Sequence, residues 1–137
     1  MNPADKLAIH ELLARTTFGL DQRDPVMIEA CFTADAIFEL EIKGAGPIPP
    51  FRGRDAIMKL MVDSMNAHSE DRRHVVSNTF FETESEHEAR VVSTLVALHA
   101  EHGNIDVMTS GVYRDRVRKE AGAWRIAHRH LALDVPF

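Results

Sequence analysis

The sequence predicts an α+β fold, helices first and an antiparallel sheet after them, and two observations carry that prediction. In the N-terminal half, apolar residues recur at spacings of three and four, in segments opened by a cap residue and a proline. In the C-terminal half, long β-rich runs are separated by charged or glycine-containing turns. Helical and extended segments are thus segregated rather than alternating, which is the order of an α+β domain and not of a doubly wound parallel sheet. At 137 residues the chain has the length of one domain. It carries no internal repeat, low-complexity tract or linker, so residues 1–137 are expected to form a single unit. A chain of this length buries about 70% of its unfolded surface and needs no disulfide or metal to hold it.

The first helix is opened by Asn2 as cap, Pro3 at the first helical position and Asp5 near the positive end of the dipole. Leu7, Ile9, Leu12, Leu13 and Thr16 mark its buried face, which runs to about Leu20. Asp24-Pro25 restarts a helix in the same way, with Val26, Ile28, Ala30, Cys31 and Phe32 carrying it to Thr33. Ala36 to Ile42 reads as a short strand. The segment Gly44 to Pro50, with two glycines and three prolines, reads as loop. A third helix is predicted from about Asp55 to Asn66, with Ile57, Leu60, Met61, Ser64 and Met65 along one side.

Four strands follow, over Arg73 to Glu82, Glu88 to His99, Ile105 to Arg118 and Ala123 to Asp134. The second of these is apolar on both faces, with Val91, Leu95 and Ala97 on one and Val92, Val96 and Leu98 on the other. A sheet with one wet face alternates. One face is therefore expected under the helices and the other against a second subunit, in a homodimer or homotrimer.

Composition excludes several function classes. Sixteen Lys+Arg against 21 Asp+Glu give a formal charge of −5, so no basic face for nucleic acid is expected. Cys31 is the single cysteine, which rules out an internal disulfide and a cysteine-based zinc cluster. The segment from Met1 to Arg15 is charged and has no apolar core with a cleavage site. No apolar run approaches the ~20 residues needed to span a bilayer. No membrane partner and a cytoplasmic location are expected.

Eight histidines stand out in so small a chain. His10 on the first helix and His68 in a charged loop read as solvent-facing, His87 and His102 as turn residues, and His99 as a strand end. His128 and His130 share one strand face and could hold a metal, but no third ligand is near them in sequence. His74 differs. Alternation places His74, Val76, Asn78 and Phe80 on one face, so two polar groups sit among apolar ones where the strand should be buried. Its candidate partner is Asp21, a carboxylate at the C-terminal, negative end of the first helix, where it is ill-placed for helix stability. Asp24 has a capping role; Asp21 has none. A turn aspartate and a hydrogen-bonded structural histidine are the plain alternatives. The functional one is a carboxylate that fixes the imidazole tautomer and leaves Nε2 as a general base.

The ordered segments Leu-Asp-x-Arg-Asp (20–24), Cys-Phe-Thr-Ala-Asp-Ala (31–36), Phe-Arg-Gly-Arg-Asp-Ala-Ile (51–57), His-Val-Val-Ser-Asn (74–78), Gly-Val-Tyr-Arg-Asp (111–115) and Gly-Ala-Trp-Arg-Ile (122–126) resemble the SnoaL-like branch of the nuclear-transport-factor-2-like superfamily. The resemblance spans nearly the whole chain. It implies a curved antiparallel sheet wrapped around three helices, a cone with a deep apolar pocket. In layout the chain is most similar to scytalone dehydratase and hexachlorocyclohexane dehydrochlorinase. That similarity implies a catalytic pair at Asp21 and His74, and substrate-facing positions at Phe38, Tyr113 and Arg129.

Tyr113 gains separate support from its strand face of Val107, Thr109 and Gly111. Arg129 lies on the strand face opposite Trp124 and Ile126, with a structural salt bridge as its other reading. Met61, Met65 and Asn78 complete the expected pocket. Thr16 stands five residues before Asp21, where the related enzymes often carry a polar aromatic or lysine. The single tyrosine, Tyr113, does not fit the ketosteroid isomerase pattern.

The expected activity is a cofactor-independent lyase or isomerase, acting on a small, largely apolar substrate with His74 as base. A non-catalytic ligand-binding or assembly domain of the same fold is the alternative. No cofactor and no metal are expected in either case.

Overall fold

A computed structural model describes residues 1–137. Its elements are α1 (Pro3–Asp21), α2 (Pro25–Glu29), β1 (Phe32–Ile42), β2 (Phe51–Arg52), α3 (Arg54–Ala67), β3 (Asp71–Glu84), β4 (Glu88–Glu101), β5 (Asn104–Glu120) and β6 (Ala123–Leu133). The six strands form one sheet in the order β2-β1-β6-β5-β4-β3. The sheet is curved and unclosed, with β2 and β3 at its edges. It is antiparallel throughout except between β1 and β6, which run parallel and make the sheet mixed.

The helix starts follow the sequence signals. Asn2 Oδ1 accepts from the Asp5 N–H at 2.8 Å, and Asp24 accepts from the Met27 N–H at 3.1 Å. Between them α1 closes in a Schellman turn. The Asp24 N–H donates to the Gly19 carbonyl at 2.8 Å and the Arg23 N–H to Leu20 at 3.2 Å, with Arg23 left-handed at φ 54. Asp21 is thereby fixed as the last helical residue, and Asp24 serves both as the end of one turn and the cap of the next helix.

Two boundaries differ from expectation. The second helix stops at Glu29 rather than Thr33, because Phe32 pairs with Ile126 and the Cys31 carbonyl accepts from the Ile126 N–H at 2.7 Å. The apolar run that continues the helical period is in fact the entry to β1. The two-residue strand β2, absent from the sequence reading, arises because Phe51 and Arg52 pair with Phe38 and Ile37.

The core sits at the narrow end, where Ile9 and Leu13 of α1, Ile28 of α2 and Ile57 of α3 meet Phe32, Val117 and Ile126 of the sheet. Burying side chains of this size contributes about 1.5–3 kcal/mol each. A polar clamp closes that end. The Trp124 Nε1–H donates to Asp5 Oδ1 at 2.9 Å, and Lys119 Nζ lies 3.2 Å from the same oxygen. These two hydrogen bonds hold the Asp5 carboxyl below the usual carboxylate range.

Bulges decide which side chains face inward. Pairing slips between Ser77 and Phe80, so Phe80 turns outward and Phe81 packs inward. A slip beside Ala97 and Leu98 turns Val107 to solvent and brings Met108 to the interior. A third, beside Arg116 and Val117, lets Trp124, Ile126 and Arg129 all be buried along β6. Strict alternation had put Arg129 on the opposite face from Trp124 and Ile126; the bulge is why it does not hold. No helix is long and apolar enough to cross a membrane.

Gly111 marks the tightest strand contact. A Cβ there would run into the backbone carbonyl of Ala132, which is locked in the β5–β6 ladder. Gly111→Ala is expected to destabilise the fold by about 1–3 kcal/mol, the cost of overpacking, measured by urea denaturation against the wild type.

Candidate active site

The end of α1 meets the start of β3. His74 Nδ1 lies 2.6 Å from Asp21 Oδ1, and the His74 backbone N–H donates to Asp21 Oδ2 at 2.8 Å. Both carboxylate oxygens are thus engaged by one residue. A carboxylate can only accept, so the ring proton is on Nδ1 and the Nε2 lone pair of the neutral ring is free. The side chains are 6% exposed for Asp21 and 16% for His74. The tautomer is therefore set by a shielded contact on a strand, the support a general base requires.

Both residues line a cavity of about 160 Å³ at the wide end of the cone. For scale, a dry cavity of about 150 Å³ accepts benzene. Thr16, Thr17 and Leu20 of α1 form one wall, Leu60, Met61 and Ser64 of α3 a second, and the inner face of the sheet the rest. Phe38, Tyr113 and Arg129 are among the residues that line it. The Thr16 hydroxyl donates back to the Leu12 carbonyl at 2.7 Å, so the position before Asp21 offers the cavity little polar reach.

Arg129 and Asp115 are cross-strand partners on the inner face, joined through Nε at 2.8 Å and one terminal nitrogen at 3.0 Å. Both are buried. Burial opposes the arginine charge, and the Asp115 carboxylate more than offsets it, leaving the guanidinium pKa above its ordinary value. Arg129 is therefore both a salt-bridge residue and a cavity residue. Its guanidinium carbon lies 4.1 Å from the centre of the Tyr113 ring.

Two expected residues fall elsewhere. Asn78 sits at the β3 bulge with φ 53 and is exposed, because the slip turns it out of the inward row. Met65 is buried in the core, one step around α3 from the lining residues Met61 and Ser64. His128 and His130 face outward on β6, each beside a glutamate of β1, with Nε2 2.7 Å from Glu39 and 3.1 Å from Glu41 respectively. No group of three or more His, Cys, Asp or Glu side chains is placed to hold a metal ion.

His68, Arg72 and Phe137 also line the cavity, and sequence reasoning missed them. His68 was expected in solvent. The available signal was the α3 spacing itself, since Leu60, Ser64 and His68 are four apart. The loop holding His68 is fastened by Arg23, whose NH2 donates to the carbonyls of His68 and Glu70 at 3.2 and 3.0 Å. Arg72 is held by Glu70 at 3.0 Å and lies under the Phe137 ring. His68 Nδ1 is buried without a partner.

The fold is thus a cone with an internal cavity and a histidine–carboxylate pair in the cavity wall. The model of the SnoaL-like domain matches residues 3–130, and the chain belongs to that family. No curated protein matches it. Among solved structures, an aspartate-to-asparagine variant of a Mycobacterium tuberculosis protein of unknown function is 30% identical, with a TM-score of 0.79, over 98% of this chain and 77% of that one. A Novosphingobium aromaticivorans protein assigned provisionally as a scytalone dehydratase is 25% identical, with a TM-score of 0.79, over 95% and 84%. The beta subunit of a provisionally assigned aromatic-ring-hydroxylating dioxygenase from the same organism is 15% identical, with a TM-score of 0.80, over 96% and 90%. That last likeness is one of fold alone.

Burial first, and then the Arg72 charge, hold the His68 pKa below the usual histidine value. The unfolded chain therefore binds a proton at that residue that the folded chain does not. Below about pH 6.5 this term favours unfolding increasingly as pH falls, until His68 protonates in the folded state too. His68→Gln should flatten that part of the stability–pH curve relative to wild type in denaturation melts. Identical slopes would contradict the assignment.

Proposed function

We propose that the chain is a cofactor-independent lyase of the dehydratase type, or an isomerase, acting on a small, largely apolar substrate. Aromatic, polyketide-like and terpenoid skeletons are the classes of suitable shape. His74 is the general base and Asp21 its orienting partner. The observation that carries the reading is the double hydrogen bond from His74 to Asp21 in the wall of a mostly apolar cavity. In this mechanism Nε2 takes a proton from carbon, and Asp21 stabilises the imidazolium that forms. The same proton leaves with a β-hydroxyl as water, or returns at a second carbon. Phe38, Met61 and Tyr113 position the substrate. The provisional dehydratase assignment of one neighbour at 25% identity points in the same direction.

General base catalysis contributes about 10²–10⁴-fold. Deuterium uptake from D₂O into a cavity-sized cyclic ketone such as 2-tetralone, followed by NMR, reports it directly. Wild type is expected to accelerate exchange, with losses of that order in His74→Ala and smaller ones in Asp21→Asn. Equal exchange in all three proteins defeats the proposal. A binding-only or subunit role, the alternative, is favoured by the ring-hydroxylase beta subunit sharing the fold. It requires ligand binding that both substitutions leave intact and no turnover in any protein.

Self-association through the outer sheet face belongs to the same proposal. Val75 pairs with Val96 and Phe80 with Val92 on that face, and Val75, Phe80 and Val107 are exposed in the single chain. Arg114 and Glu82 flank the patch, bonded at 3.0 Å. Both signs of charge beside one apolar patch suit a face that meets a copy of itself. Sedimentation velocity should find a dimer or trimer for wild type and monomer for Val75→Asp. A monomeric wild type refutes it.

A further inference from the structure

His68, Arg72 and Phe137 line the cavity yet keep contact with solvent, so they form its rim. Arg72 lies two residues before His74 on β3, which puts both side chains on one face, roughly 6.6 Å apart along the strand. Its guanidinium gives Nε and one terminal nitrogen to a single oxygen of Glu70, at 3.3 and 3.0 Å, and the other terminal nitrogen has no protein partner. The Phe137 ring covers the group, its centre 5.7 Å from the guanidinium carbon. Behind the loop, Arg23 donates to the carbonyls of His68 and Glu70 and meets no carboxylate. Two guanidinium groups thus stand against the one carboxylate of Glu70, in a chain whose net charge is −5. Of the other acids nearby, Asp71 is exposed and Asp21 has both oxygens engaged by His74.

His68 stands beside this surplus of positive charge. Its Nδ1 is buried and makes no hydrogen bond, although the Ser64 carbonyl, one turn back on α3, favours the charged ring. Glu70 favours it too, whereas burial and the Arg72 and Arg23 charges oppose it and prevail, so the ring is held below its ordinary pKa. Asp21, His74, Tyr113 and Arg129 complete the titratable groups of the wall, and Arg129 is already paired with Asp115. An anion drawn to Arg72 changes the balance at His68. It offsets the arginine charge, and a protonated imidazole has a donor at each nitrogen, one toward the Ser64 carbonyl and one for the anion. Hydrogen bonds between ionised partners are the strong ones, and the Arg72 and Glu70 side chains are only 17% and 16% exposed.

We infer that Arg72 and His68 form an anion site at the cavity rim that takes a carboxylate of the substrate, while the apolar body of the same molecule fills the cavity. The substrate class is then a small cyclic or aromatic acid, amphipathic rather than wholly apolar. A carboxylate suits the site better than a phosphate. The rim offers two donors, one guanidinium nitrogen and one imidazole nitrogen, for two oxygens, and a surplus of one positive charge for one negative charge. The strand spacing adds a second feature. The acid group and the C–H facing His74 are separated by roughly 6.6 Å, two residues of strand, so the reacting carbon is remote from the carboxylate rather than next to it. The inference deepens the function proposed above and rests on that cavity being the substrate site; it does not require His74 to be the base.

The test compares 4-methylbenzoate with 4-methylbenzamide, nearly equal in shape and different in charge, by calorimetry. Wild type is expected to bind the benzoate more tightly, and increasingly so as pH falls from about 8 toward about 6, because binding takes up a proton. The uptake is read from the dependence of the heat on the ionisation enthalpy of the buffer. Arg72→Gln should weaken the benzoate about ten- to a hundredfold and leave the benzamide unchanged, and Arg72→Lys should keep most of the preference. His68→Gln should remove most of the proton uptake. No preference in wild type, a preference that survives Arg72→Gln, equal losses for both probes, or uptake undiminished in His68→Gln overturns the inference. His74→Ala separates the two readings, since 2-tetralone carries no acid group and its exchange tests the base alone. That variant should keep the benzoate preference and lose exchange. A preference kept with exchange undiminished sinks the base assignment and leaves the anion site standing, and exchange without any benzoate preference does the reverse.

Discussion

A carboxylate at the last residue of α1 faces the negative end of the helix dipole, and on its own it would be destabilising there. Asp21 is retained in that position because two donors on β3, the His74 backbone N–H and its ring, converge on it. The contact fixes more than a side chain. β3 is an edge strand, bonded only to β4, and α1 is the element that fastens its other side. Two residues beyond Asp21, Arg23 reaches the carbonyls of His68 and Glu70 and secures the loop that leads into β3. Asp24 then caps α2. A single Schellman turn thus places the dyad, the cavity mouth and the second helix, so the site inherits its geometry from backbone hydrogen bonds rather than from flexible side chains.

The interior repeats one device. Three charged or titratable groups that line the cavity are each held by a carboxylate: His74 by Asp21, Arg129 by Asp115, Arg72 by Glu70. For Arg129 the pairing is close to obligatory. An unpaired buried guanidinium is costly, whereas the pair itself adds little over an apolar substitute of the same size. Asp115 therefore matters less for net stability than for keeping the arginine ionised and aimed. The three carboxylates differ in setting, one at a helix end, one in mid-strand and one in a loop, which spreads the polar groups around the cavity wall instead of clustering them.

Much of this could be read from the chain. The order of helices and strands and the caps at Asn2 and Asp24 rest on local signals, whereas the Asp21–His74 pairing, 53 residues apart, is suggested by an ill-placed carboxylate together with the family resemblance. What could not be read follows from bulges. Alternation has period two, and a single extra residue inverts it. The slip at Ser77–Phe80 exposed Asn78 and exchanged Phe80 for Phe81, and the slip beside Ala97 exchanged Val107 for Met108. His68 and Arg72 escaped notice because charged loops read as solvated, and only the three-dimensional path of α3 into β3 brings them over the cavity. The parallel β1–β6 pairing is equally invisible locally, since it joins the two strands farthest apart in sequence.

The distribution of side-chain size along the cone bears on what the domain is for. In the core away from the cavity, Phe32, Ile9 and Ile126 are large and fully buried. The inward positions that line the cavity include Ala97 and Thr109 on the sheet, and Thr16 and Thr17 on α1. Helix interiors take leucine more readily than threonine, and larger apolar residues at these positions would turn a void into buried contact. At about 24 cal/mol per Å³ for unfilled cavity space, 160 Å³ corresponds to an upper limit of roughly 4 kcal/mol forgone. A subunit whose role was only to present its outer face would gain stability by filling that space. A domain that must admit a small molecule has to leave it open, and here the open space is bounded by the side chains whose polar atoms the fold leaves free: Nε2 of His74, the Tyr113 hydroxyl and one terminal nitrogen of Arg129.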